Sequence, residues 1–154
     1  MKTITTSAGK TCKPRHIPHD AKLTPTQLQN AYDEIADQYE KKIWFDQHIL
    51  GVARLRKNLL SKATGKILDV ACGTGSNIPL YPTGSDITAV DLSPNMLEVA
   101  RANAAQYGLN VNLAVMDAEH LEFPDGSFDT VVSTLSTCTF PDPVKALQEL
   151  KRVC

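Results

Sequence analysis

The chain reads as an α/β protein: a Rossmann-like parallel sheet of about four encoded strands with flanking helices. Three observations predict this. From residue 66 onward, short apolar runs alternate with helical periodicities, an order that builds parallel strands joined by crossover helices. One run, Lys66-Ile-Leu-Asp-Val-Ala-Cys-Gly-Thr-Gly-Ser-Asn77, breaks directly into a glycine loop, the place where open α/β sheets bind ligands. Three acids occupy comparable places: Asp69 within the first run, Asp91 ending the second and Asp117 following the third.

A length of 154 residues suits one domain with a genuine core. Sixteen Lys and Arg against seventeen Asp and Glu leave a formal charge of −1, so no global field recommends nucleic acid or an anionic membrane surface as partner. A small-molecule substrate is the default. No apolar stretch approaches the roughly 20 residues of a membrane span, and Met1-Lys-Thr-Ile-Thr-Thr-Ser lacks a secretion signal's apolar core. A cytoplasmic protein without stable membrane insertion is expected. Cys12, Cys72, Cys138 and Cys154 are widely spaced with no C-x-x-C pair, which favours reduced thiols. Cys12, His16 and His19 make a C-x₃-H-x₂-H run without a fourth ligand, so no metal is assigned. His48 and His120 are read as surface or packing residues.

Taken in order, residues 1–23 show no apolar periodicity and predict a flexible arm, with the domain over 24–154 and its cap helices over 24–61. After Thr24-Pro25, the residues Leu28, Tyr32, Ile35 and Tyr39 recur at steps of four, three and four, one face of a helix. A second helix is predicted from Ile43 to Leu60, with Trp44, Leu55 and Leu59 inward and Arg54, Arg56 and Lys57 mostly outward. Gly65 ends it, and the first strand follows at once. Asn77-Ile-Pro-Leu-Tyr-Pro82 is at most a short helix, stopped by Pro82.

Asp86–Asp91 is the second strand. Ser93 and Pro94 then cap a helix with Met96, Leu97, Ala100, Ala104 and Tyr107 on its apolar face, ended by Gly108. Val111–Met116 is the third strand, Phe123–Ser127 a turn, and Phe128–Leu135 the fourth strand. Asp142-Pro143 opens a last helix whose predicted buried side is Val144, Leu147 and Leu150.

In a parallel sheet the strand tips share one edge, so the first three would meet at one crevice. Gly73 and Gly75 permit torsions and a close ligand approach that a Cβ would obstruct. Asp91 is placed to accept two hydrogen bonds from a ribose diol; Asp91 and Asp117 are equally of a type that initiates turns and helices. A dinucleotide fingerprint is not met, because Gly73-Thr-Gly75-Ser-Asn-Ile78 has isoleucine where the third glycine belongs. That sets aside a nicotinamide-dependent oxidoreductase.

The ordered segments Asp69-Val-Ala-Cys-Gly-Thr-Gly75, Ala89-Val-Asp-Leu-Ser-Pro-Asn-Met-Leu97, Met116-Asp-Ala118 and Phe123-Pro-Asp-Gly-Ser-Phe-Asp129 resemble the motifs of class I S-adenosylmethionine-dependent methyltransferases. The resemblance runs from about Tyr32 to the C-terminus. It implies that Gly73 and Gly75 lie against the methionine portion of S-adenosylmethionine, that Asp91 takes the ribose hydroxyls and that Leu92 packs on the adenine. Asp117 with Ala118 would read the adenine edge, and Asp69 would help hold the methionine amino group. Ala71, Asn77, Met96 and Ser133 complete the implied cofactor-binding set. Tyr32-Asp-Glu-Ile-Ala-Asp-Gln-Tyr39 is similar to the Y-x₃-A-x₂-Y entry helix of quinone-type and phospholipid-type methyltransferases, which places Tyr39 in the pocket. Gly75–Pro82 looks closest to phosphatidylethanolamine N-methyltransferases and related small-molecule or thiol methyltransferases.

Two departures stand out. The family loop commonly has glycine where this chain has Ala71, and the family sheet usually has seven strands where four are encoded here. The resemblance therefore implies C-terminal truncation, leaving Val131 and Val132 on an apolar edge of the kind that invites pairing with another chain. A homodimer across that edge, or a fragment of a longer enzyme, is expected. The implied activity is methyl transfer to a small-molecule or lipid-like N, S, O or C nucleophile, releasing S-adenosylhomocysteine. The alternative is a truncated cofactor-binding module needing a partner chain or dimerisation. No catalytic base is identifiable; Ser133, Thr134 and Ser136 are the expected substrate-facing groups.

Overall fold

Four short strands, all parallel, make the sheet, and β1 (Lys66–Val70) lies inside it as the most buried of them: Ile67, Leu68 and Val70 are fully buried. The structure is a computed structural model describing residues 23–39 and 51–154. The expected arm with Cys12, His16 and His19, and the residues Ile43, Trp44 and His48, lie outside the described residues.

The elements are α1 (Pro25–Asp33), α2 (Val52–Leu60), β1, β2 (Asp86–Asp91), α3 (Pro94–Gln106), β3 (Asn112–Val115), β4 (Thr130–Val132) and α4 (Pro143–Val153). Single 3₁₀ turns occupy Ile78–Leu80 and Thr137–Thr139. The strand order is β3-β2-β1-β4. In register, Asp69 stands between Ala89 of β2 and Val132 of β4. Successive β1 side chains alternate between faces. Leu68 and Val70 pack with Val90, Leu121, Ala146 and Val153 on one side, while Ile67 packs with Leu60, Ala63, Tyr81 and Ile87 on the other. Each such burial contributes about 1.5–3 kcal/mol.

The α3 helix follows its sequence signals closely. Ser93 Oγ accepts from the Met96 N–H at 3.1 Å, Pro94 occupies the first turn, and Gly108 takes φ +65 just past the end. Met96, Leu97, Ala100 and Ala104 are buried. Tyr107 is not; it is 59% exposed because it falls at the C-cap, where the helical face has already ended.

Four expectations need correction. The tyrosine stripe is not one continuous helix: α1 ends at Asp33, residues 34–35 turn, and residues 36–39 resume a helical course. The turn preserves the meeting of Tyr32 and Tyr39, whose rings stand edge to face at 6.2 Å. On α2, Leu55 and Leu59 face solvent while Val52, Arg56 and Leu60 face inward. An inward charge is tolerated because Arg56 Nε and Nη2 donate to Asn77 Oδ1 at 2.9 and 2.6 Å. On α4, Val144 and Leu147 are exposed, and Ala146, Leu150 and Val153 turn to the sheet. The rotation of α4 is held by Arg152, which donates to the Leu121 and Phe123 carbonyl oxygens at 2.7 and 2.8 Å. The fourth strand is also shorter than predicted, running only from Thr130 to Val132, and Leu135 beyond it takes φ +59. No helix among the described residues is long and apolar enough to cross a membrane.

Candidate functional site

The strand tips meet as the parallel order requires. A cavity of about 340 Å³ opens along that edge. Ala71 to Thr74 and Ser76 line it from the loop after β1, Asp91 to Ser93 from β2, Met116 and Ala118 from β3, and Thr134 to Ser136 from β4. Tyr32, Tyr39, Val52 and Arg56 close it from the cap segments.

Asp91 lines it with both carboxylate oxygens held. Oδ2 accepts from the Gly73 N–H at 2.8 Å and Oδ1 from the Ser93 N–H at 2.9 Å. Burial pushes its carboxyl above the ordinary range, and these backbone N–H groups pull it partly back. A carboxylate oxygen has a second lone pair, so each retains acceptor capacity for a ligand hydroxyl.

The two loop glycines serve different ends. Gly73, at φ +55, has open space where a Cβ would stand, and its N–H is the one that meets Asp91. At Gly75, φ +76, a Cβ would fall 2.7 Å from Ile78 Cδ1 and 3.1 Å from Ala100 Cβ. Gly75 thus permits close packing of the loop on α3 and does not line the cavity. Ala71 holds φ +56, a left-handed conformation that glycine adopts without penalty, which explains why glycine suits this position in similar loops.

Behind the loop lies a buried polar chain. Asp69 is fully buried, and its Oδ1 accepts from Asn77 Nδ2 at 3.1 Å. Its Oδ2 and the Tyr81 hydroxyl are buried without a hydrogen-bond partner meeting geometric criteria among the described residues, and burial, with Asp69 beside it, pushes the Tyr81 phenol well up. Burial raises the Asp69 carboxyl to about 6 against the lowering effect of Asn77. Asn77 also exchanges hydrogen bonds with Thr134 Oγ1 at 3.1 and 3.3 Å, joining the loop to the β4 tip.

Of the residues the sequence singled out, Tyr39, Ala71, Gly73, Asp91, Leu92, Met96 and Ala118 line the cavity. Asp69 and Asn77 lie behind the lining as its support. Asp117 turns into its own loop: Oδ1 accepts from the Glu119 N–H at 2.9 Å, and Oδ2 stands 3.8 Å from His120 Nδ1. Ser133 pairs with Ser136, Oγ to Oγ at 2.5 Å, and stays outside the lining. Arg56 and the left-handed Leu135 were not anticipated there. The 52-56-60 spacing of inward residues on α2 carried the signal for Arg56, masked by the apolar Leu55 and Leu59 beside it. Tyr32 also lines the cavity; burial, then Tyr39, raises its phenol to about 12, so it stays neutral. No cluster of three metal-ligating side chains occurs among the described residues.

Residues 68–154 match the family model of a methyltransferase domain. A phosphatidylethanolamine N-methyltransferase of Cereibacter sphaeroides is 40% identical over 92 residues, covering 58% of this chain and 45% of that protein. A demethylmenaquinone methyltransferase of Staphylococcus aureus is 35% identical over 142 residues, covering 87% of this chain and 58% of its own. The chain spans about half the length of these curated relatives. Among solved structures, the [4+2]-cyclase SpnF shares the fold, with a TM-score of 0.72 at 23% identity over 84% of this chain and 56% of its own. A SAM-dependent methyltransferase of Thermotoga maritima aligns with a TM-score of 0.62 at 27% identity, over 82% of this chain and 56% of its own.

Proposed function

The chain belongs to the methyltransferase-domain family, and from that premise we propose that it binds S-adenosylmethionine at the strand tips and transfers its methyl group to a small or lipid-like acceptor. The observation that carries this is Asp91, held by two backbone N–H groups in the cavity wall with acceptor capacity to spare. Such a carboxylate is prepared for a vicinal diol, and it needs no rearrangement to receive one.

The residues present fit the cofactor. Leu92, Met96, Met116 and Ala118 offer an apolar slot beside Asp91 for a flat base. Gly73 and Thr74 bring backbone close to the neighbouring stretch of the cavity. S-adenosylmethionine supplies a methyl group already activated on a sulfonium centre. What remains for the protein is to align an acceptor and keep water out. Tyr32 and Tyr39, packed edge to face, supply neutral aromatic walls for that purpose. Leu28, Val52, Leu135 and Phe140 make other walls apolar, in keeping with an acceptor that carries a hydrocarbon portion. The relatives named for phosphatidylethanolamine and demethylmenaquinone support the same class.

Titration calorimetry with S-adenosylhomocysteine, followed by methylation assays on aminophospholipid, quinol, thiol and amine acceptors, tests the reading. Micromolar binding and turnover on one acceptor class is the expected result. Absence of binding at millimolar ligand overturns it. A second reading, a cofactor-binding module completed by another chain, is favoured by the exposed Val144 and Leu147 beside the β4 edge. Binding without turnover on any acceptor, together with a homodimer by light scattering, distinguishes it.

A further inference from the structure

The outer face of α2 combines two features that a merely solvated helix does not need together. The first is apolar. Leu55 and Leu59 are each more than half exposed, and with Val52 they stand at i, i+3 and i+7, one continuous stripe along the helix. Val52, at the head of the stripe, lines the cavity. Leu135 also lines it and is itself exposed, so the mouth shares the apolar character of the stripe. The second feature is charge. Residues 51–68 hold five of the chain's sixteen Lys and Arg and none of its seventeen Asp and Glu, so the local sign is opposite to that of the chain. Arg54 precedes Leu55, and Lys62 follows Leu59 in the turn beyond the helix. Arg54, Lys57 and Lys62 are exposed and make no ion pair among the described residues.

We propose that this face of α2 docks on the surface of a bilayer containing anionic phospholipid. Leu55 and Leu59 enter the boundary between headgroups and acyl chains. Arg54 and Lys62 lay their methylene stems along the stripe and keep their charged ends among the headgroup phosphates. An acidic protein or a nucleic acid would be held by the cations but would leave the leucines bare. A neutral apolar partner would gain nothing from a segment cleared of acids. An anionic lipid surface meets both features at once. A nine-residue helix suffices, because it lies in the plane of the surface and does not span it. Docking in this pose brings Val52, and with it the cavity mouth, to the lipid, so a lipid-like acceptor would reach the cavity along apolar side chains. The inference goes beyond the cofactor reading and is tested without it.

The test is flotation of the full chain with vesicles of phosphatidylcholine alone, and of phosphatidylcholine with about one-third phosphatidylglycerol. Association with the anionic vesicles should be at least about tenfold stronger than with the neutral ones, and should weaken as salt is raised from about 0.1 to 0.5 M. The pair Leu55→Ser with Leu59→Ser should weaken it at least about tenfold, and so should Arg54→Glu with Lys62→Glu. All four side chains are exposed, so circular dichroism and melting temperature should stay near wild type. Should either pair not fold, Leu55→Ser and Arg54→Gln alone take its place, each expected to weaken binding about threefold or more. Absence of flotation with anionic vesicles overturns the proposal, as does flotation that the leucine and charge variants leave unchanged. Retention on a soluble polyanion such as polyglutamate, without vesicle binding, overturns it in favour of an acidic partner. Vesicle binding needs neither cofactor nor turnover, so its failure leaves the methyl-transfer reading intact, and failure of that reading leaves vesicle binding to be judged by itself.

Discussion

The carboxylate of Asp33, the last residue of α1, accepts a hydrogen bond from the Ser93 hydroxyl and another from the Asn95 N–H at 3.2 Å, so the entry helix is tied to the start of α3 across 60 positions of sequence. The Asp33 carbonyl oxygen adds a third tie, accepting from Asn95 Nδ2 at 3.2 Å. Ser93 is also the residue whose N–H holds Asp91. Tyr32 is therefore seated over the cavity by its neighbour's grip on the same loop that carries the central acid. Asp33→Ala is expected to cost about 1–2 kcal/mol in urea unfolding and to weaken S-adenosylhomocysteine binding several-fold. Asp33→Asn, which still accepts, should recover more than half of both losses.

The loop glycines should separate under the same small substitution. Gly73→Ala meets only the left-handed torsion and should cost about 1 kcal/mol. Gly75→Ala meets that torsion and the side chains of Ile78 and Ala100 besides, so about 2–4 kcal/mol is expected. Ala71→Gly relieves φ +56 but frees the unfolded chain, leaving stability within about 1 kcal/mol of wild type. Equal losses for Gly73→Ala and Gly75→Ala in chemical denaturation would show that packing against α3 is not the constraint.

Asp69 makes stability depend on pH in a definite direction. Its carboxyl titrates near 3.8 when unfolded and at about 6 in the fold, where burial disfavours the charge. The folded state holds the proton more tightly, so this group's stabilising contribution is complete below pH 3.8 and is lost as pH rises through 6. Asp69→Asn cannot titrate. The difference in unfolding free energy between wild type and Asp69→Asn should shift by roughly 1–3 kcal/mol between pH 4 and 7, against the wild type at the upper end. A pH-independent difference would sink the assignment.

The inward face of α2 is open to a direct check. Leu60 is fully buried and Leu55 is 67% exposed. Leu60→Ala should cost about 2–5 kcal/mol, whereas Leu55→Ala should fall within about 0.5 kcal/mol of wild type. Comparable losses at both positions would return α2 to the orientation its leucines suggest.

Local signals were enough for most elements. The Ser93–Pro94 start and Gly108 stop of α3, and the run Ile67, Leu68 and Val70 in β1, act within a few residues of where they stand in sequence. Parallel order followed from alternation, and with it the meeting of Gly73, Asp91 and Ala118 at one cavity. The faces of α2 and α4 were less legible. Their apolar residues offer more than one stripe, and the choice between stripes depends on distant partners: Asn77 for Arg56, and the Leu121 and Phe123 carbonyls for Arg152.

By itself the sequence determined the parallel α/β order, the glycine loop after β1 and the acid at the tip of β2, because strand period, helix caps and glycine torsions are short-range properties of the chain. Only the tertiary structure decided that Gly75 serves packing, that Asp69 and Asn77 stand behind the cavity, that Asp117 turns into its own loop, and that Arg56 enters the site. The contact of Gly75 with Ala100 and the bond of Arg56 to Asn77 join distant parts of the sequence, whereas Asp69 meets Asn77, and Asp117 meets Glu119, within a few residues, where several local geometries were open to the chain. A buried charge goes where an acceptor waits, and a Cβ is excluded where two elements touch.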